Sequence, residues 1–245
     1  RRAEIAQLKP AVADVWLPAA DGTRVHAWHL KSGPTLVLYF GGNAEEVSWM
    51  LEEARGVLAP FGAPLVCAAL PHVPLAGAVD VVFSTATFHW VHDHPALFQA
   101  LAKALVPGGR LVAQCGGGAN LARVHARAET LMQASPYAAA FAAWTPPWEF
   151  ADAETTRQRL ADAGFTDIET SVEAAPTSLR DAAQYHAFLT TVIFRDHLRY
   201  LPDEKTRHAF VAELTRQAAA DDEPFLLDYW RLNLRARRPS TGPAT

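Results

Sequence analysis

The chain has 245 residues, of which 50% are hydrophobic and 20% charged, values that exclude a disordered or collagen-like chain and allow a substantial core. Its net charge of −4 disfavours a nucleic-acid or membrane-surface partner, either of which would select a basic face. Two cysteines, Cys67 and Cys115, make neither a disulfide framework nor a four-thiolate zinc site, so a reducing, cytoplasmic setting is expected.

Residues 14–30 read as a hairpin, with Val15-Trp16-Leu17 and Arg24 to Leu30 flanking Ala20-Asp21-Gly22; Asp-Gly supplies the positive φ angles of a tight turn. Thr35 to Phe40 is a continuous apolar run of strand length ending in Gly41-Gly42, as suits a central strand buried on both faces. A helix is expected over 44–58, with Glu45 and Glu46 in its first turn, where the helix dipole favours acids. The least charged stretch, 57–83, is broken by Pro60, Pro64, Pro71 and Pro74 and does not read as a membrane span, which needs roughly 20 unbroken apolar residues.

From there strands and helices alternate. Strands are expected at 64–69 and 79–83. A helix follows at 96–106, opened by Pro95 and stopped by Pro107-Gly108-Gly109, and then a strand at 110–115. Strands joined by crossover helices imply a parallel sheet. Further helices are expected at 153–163, from a capping box at Ser178 and Asp181 to about Phe194, and at 203–219. Alternation marks strands at 167–174 and 230–235, and the polar tail 238–245 reads as disordered.

Several residues invite chemical readings. His89, His92 and His94 with Asp93 could converge on a cation, but they lie on a strand-to-helix connection where Asp93 is the better helix cap; no metal site is expected. Gly116-Gly117-Gly118 lacks the lysine and spacing of a phosphate loop and reads as a flexible exit at the ligand edge of the sheet. Phe141, Trp144, Trp148 and Phe150 read either as core or as an aromatic lid over a pocket. None of the serines sits in the Gly-x-Ser-x-Gly turn a hydrolase needs.

The run Val79-Asp80-Val81-Val82-Phe83-Ser84-Thr85-Ala86-Thr87-Phe88-His89-Trp90-Val91, then His94-Pro95-Ala96-Leu97-Phe98, Leu105 to Val112, and Leu160-Ala161-Asp162-Ala163-Gly164-Phe165 resemble a class I S-adenosylmethionine-dependent methyltransferase. The likeness is to the trans-aconitate methyltransferase-like group and runs from about 53 to 239. It implies a Rossmann-like α/β fold: a mostly parallel sheet, an antiparallel terminal strand and a helical cover on the acceptor side. It also implies S-adenosyl-L-methionine as cofactor and a small-molecule acceptor, a carboxylate being one candidate. His89 and Trp90 then fall beside the transferred methyl group, with Trp144 and Trp148 on the acceptor side and His89 as the base for a hydroxyl or carbon acceptor. Ser84 and Thr85 follow the family's fourth strand, and Ala68-Ala69 stands where an acid near adenine is usual. The glycine loop after the family's first strand is missing; Gly41, Gly42 and Glu45 are the available substitutes for that loop and its ribose-binding acid.

Residues 12–52 resemble something else, the start of an α/β-hydrolase, through Asp21 to Trp28 and Leu38-Tyr39-Phe40-Gly41-Gly42-Asn43-Ala44-Glu45. The chain thus reads as a chimera of a hydrolase-like segment, 1–52, a methyltransferase-like domain, 53–239, and a tail, 240–245. Two readings stand: a working methyltransferase with Gly41-Gly42 and Glu45 as its cofactor loop, or a non-catalytic binding module. They differ in where the strand ending at Phe40 should lie, beside 79–83 in the first and at a sheet edge in the second.

Overall fold

The computed structural model describes residues 76–240 and, as backbone alone, the strands at 12–18, 24–30, 37–40 and 65–67. The strands are β1 (Val12–Pro18), β2 (Arg24–Leu30), β3 (Val37–Phe40), β4 (Leu65–Cys67), β5 (Val79–Thr85), β6 (Leu105–Gly116), β7 (Thr166–Ala174), β8 (Thr177–Ser178), β9 (Leu226–Leu227) and β10 (Trp230–Arg237). Eight form one sheet in the order β1-β2-β4-β3-β5-β6-β10-β7, and β8 and β9 pair separately.

The four middle strands are parallel: β3 pairs with β4 on one side and β5 on the other, and β5 pairs with β6. The expected hairpin is β1–β2, antiparallel from Val12↔Leu30 to Pro18↔Arg24, and β2 lies antiparallel to β4. At the far side the Arg238 amide donates to the Gly109 carbonyl while the Gln114 side chain reaches Asn233. That reversed order makes β10 antiparallel to β6. The result is a mixed sheet with a mostly parallel centre, flanked by helices, as the sequence implies. The strand expected over 35–40 is interior, as expected for a continuous apolar run.

The described helices are α1 (His94–Ala104), α2 (Ala122–Met132), α3 (Ala153–Asp162), α4 (Ala182–Phe188) and α5 (Glu204–Ala219). The helix expected over 44–58 lies outside the described residues. Helix α1 ends two residues before the expected Val106. Pro107 disfavours helical φ/ψ at the residue before it, and Leu105 is already extended and paired with Val79. The pairing then skips to Val81↔Arg110, so Val106 to Gly109 form a bulge. A Cβ at Gly109 would stand 2.8 Å from the Val106 carbonyl and 3.2 Å from that of Asp80, which explains the glycine in this turn. The expected capping box is only half present: Asp181 accepts from the Gln184 amide, whereas Ser178 belongs to β8. The helix it opens leaves α geometry at Leu189 and runs to Ile193 as a π turn.

The chain divides into two compact units. The first comprises Arg1–Gly118, Trp148–Val172 and Leu232–Thr245. Its core joins Val79, Val82 and Leu111 of the sheet to Leu97, Phe98 and Leu101 of α1 and Leu160 of α3. Each such side chain contributes roughly 1.5–3 kcal/mol by leaving water. The second unit, Ala119–Pro147 with Glu173–Arg231, is mainly helical and closes around Tyr185, Leu189, Phe194, Phe210 and Leu214.

Candidate functional site

Strand order reverses between β3 and β5: the chain passes from β3 to β4 on one side and from β5 to β6 on the other. In open α/β sheets the carboxyl ends of strands at such a switch point border a crevice that takes ligands. Phe40 is level with Ser84 there. Ser84 is 1% exposed, and among the described residues its hydroxyl has no hydrogen-bond partner, an arrangement that costs about 1–3 kcal/mol in a finished core. Gly41, Gly42, Glu45, Ala68 and Ala69 lie outside the described residues.

Beyond Thr85 the chain turns sharply. Ala86 takes a positive φ of 50° and donates its amide to the Gln114 carbonyl at 2.7 Å. A single 3-10 turn, Phe88–Trp90, then presents His89. The His89 ring is buried, and its Nδ1 accepts from the Gly116 amide at the end of β6, at 3.2 Å. A ring nitrogen that accepts an N–H carries no proton, so in the neutral ring the proton sits on Nε2. In this tautomer the Nε2 side of the His89 ring is a hydrogen-bond donor. The tautomer depends on Gly116, 27 positions away in the chain.

Aromatic rings surround this donor. Trp90 and Phe150 lie 5.0 and 5.6 Å from the His89 ring, and Trp148 stacks on Phe150 at 5.8 Å. All are half-buried except His89. Trp144 belongs to the second unit, where it packs against His197 at 4.0 Å and against Phe141 and Tyr200.

The glycine run is packed, contrary to the flexible exit expected. Gly116 donates to His89, and Gly118, with φ of +58°, donates to the Ala151 carbonyl at 3.0 Å. At the start of α1, Asp93 caps the helix through the Ala96 amide at 2.9 Å, as its position suggests. His94 turns inward: Nε2–H donates to the Phe88 carbonyl, and Arg159 donates to Nδ1, both at 3.0 Å. Burial, reinforced by the Arg159 charge, holds His94 below the ordinary imidazole range. Sequence reasoning missed Arg159 and Glu149, which pair with each other, because nothing local in the sequence links them to His94. Among the described residues no helix is long and apolar enough to cross a membrane.

Residues 44–113 match the family described as "Methyltransferase domain". The match begins beyond β3 and takes in β4, β5, α1 and most of β6. No curated protein matches the chain in sequence. Among solved structures, a Bacillus halodurans C-125 protein assigned as a methyltransferase superimposes with a TM-score of 0.50 at 12% identity, over 84% of this chain and 93% of that one. The likeness shows the fold. YcgJ of Bacillus subtilis gives 0.48 at 10% identity, over 86% and 94% of the two chains. Haemonchus contortus phosphoethanolamine N-methyltransferase 2, solved with S-adenosylhomocysteine, gives 0.43 at 16% identity over 86% of this chain. This chain spans half the length of that enzyme.

Proposed function

We propose that the protein is an S-adenosylmethionine-dependent methyltransferase of the trans-aconitate methyltransferase-like group, acting on a small molecule with a carboxylate as methyl acceptor. The carrying observation is the interior place of β3 beside β5, which sets the residue before Gly41-Gly42 level with Ser84 at the switch point of the sheet. An edge position would have favoured a non-catalytic binding module. The methyltransferase-domain match over 44–113 supports the same reading.

The residues present fit the cofactor: a buried, unpartnered hydroxyl at Ser84 is an open polar contact at the strand end where such a ligand would lie. Ser84 and Thr85 would hold it from β5, and Gly41, Gly42 and Glu45 from the chain after β3. When bound it supplies an electrophilic methyl group on a sulfonium. Trp90, Trp148 and Phe150 offer ring faces that favour cationic charge and exclude water. His89, with its proton on Nε2, donates to an anionic acceptor and orients it. A carboxylate, with an ordinary pKa of about 4, needs no base, which agrees with a site whose histidine is a donor. The remaining work is alignment of donor and acceptor.

Calorimetric titration with S-adenosylhomocysteine tests this. Saturable micromolar binding, weakened in Glu45→Ala, is the expected result; absence of heat at millimolar ligand from folded protein overturns it.

A further inference from the structure

We propose that Glu149, Arg159 and His94 form a positioning relay that fixes the orientation of the His89 ring. The proposal deepens the reading of His89 as the donor facing the acceptor and rests on it. His89 sits on a single 3-10 turn, Phe88–Trp90, and one turn of backbone does not by itself fix a side chain. Both of the carbonyls that bracket His89 are held from outside the turn. The Phe88 carbonyl accepts from His94 Nε2–H at 3.0 Å, and the His89 carbonyl accepts from the Glu149 amide at 2.8 Å. These two anchors are tied to each other. The Arg159 guanidinium donates to His94 Nδ1 at 3.0 Å and to the Glu149 carboxylate at 2.5 Å. The closed path runs Phe88 carbonyl, His94, Arg159, Glu149, His89 carbonyl. The Gly116 amide at Nδ1 then sets the ring's rotation.

The relay has one weak point. His94 is 1% exposed and is accepting at Nδ1. A proton added there would face the Arg159 guanidinium, donor against donor, and that contact would break. The charged and titratable groups around His94 are Glu149, Arg159 and His92. Glu149 favours the protonated ring, while Arg159, His92 and burial oppose it. The relay therefore holds at neutral pH and opens as the medium becomes acidic, releasing His89 with it.

Imidazole 15N spectra of the protein with labelled histidine read this directly, with no need of acceptor or cofactor. At neutral pH His89 and His94 are each expected as a single Nε2–H tautomer. Arg159→Met, checked for folding by circular dichroism, should leave the His89 signals averaged between tautomers, and Arg159→Lys should restore them in part. A folded Arg159→Met protein with unchanged His89 signals overturns the relay. In the wild type, His89 should shift in the same pH step as His94. Independent titration overturns the relay even where the variants fail to fold. Loss of S-adenosylhomocysteine binding in wild type would refute the cofactor reading while leaving these spectra interpretable.

Discussion

At Gly117 a methyl group has nowhere to go. A Cβ built there would lie 2.5 Å from Cβ of Leu232 and 2.7 Å from the Ala151 carbonyl, and neither atom is the loose end of a flexible side chain. Gly117→Ala must therefore push the strand end apart and disturb its neighbour Gly116, whose amide holds His89. We expect a loss of about 1–3 kcal/mol in urea unfolding, with the His89 ring signals shifted. Ser84 makes the opposite argument. Its hydroxyl is buried with no partner among the described residues, so Ser84→Ala should raise the stability of the ligand-free protein by about 1 kcal/mol and weaken S-adenosylhomocysteine binding. Lower stability with unchanged binding would make Ser84 an ordinary core residue. The sequence could name both positions, since glycine and serine at a strand end are visible in it. It could not say that the glycines are packed, because Leu232 and Ala151 come from distant parts of the chain.

At the scale of elements, local chemistry was readable wherever the deciding partner lay within a turn. Asp93, Asp152, Asp181 and Asp203 each cap a helix through the amide three residues on, and the strand-to-helix reading of Asp93 follows from that spacing alone. Asp93→Ala should cost about 1 kcal/mol in thermal or urea unfolding, with Asp93→Ser recovering most of it. An unchanged midpoint in Asp93→Ala would mean that packing of Leu97, Phe98 and Leu101 alone fixes the start of α1. Where a distant partner decided, the local reading went astray. Ser178 has capping-box spacing, yet it pairs with Leu226 in β8–β9. The helix expected to Val106 yields to the pairing of Leu105 with Val79. The tautomer of His89 depends in the same way on a strand that begins 16 positions downstream of it.

On the scale of the whole molecule, the two units carry different liabilities, and acid should expose that of the second. Its core holds two imidazoles, His125 and His197, stacked 6.4 Å apart with Trp144 and Phe194 against them. Burial pushes His125 down to about 4 and His197 down to about 3. Unfolded, each would titrate near 6.5. Above that value both rings are neutral in either state, so stability is independent of pH on their account. Below it the unfolded chain takes up protons that the folded unit refuses, and stability falls steadily until the folded values are reached. At pH 5 the loss is about 2 kcal/mol per ring at most, from 1.5 units at 1.36 kcal/mol each. Unfolding midpoints in urea should thus decline from pH 6.5 downward, and His197→Phe should flatten part of that slope. A replacement that leaves the slope intact would place the acid sensitivity elsewhere, with His94 in the first unit as the next group to test.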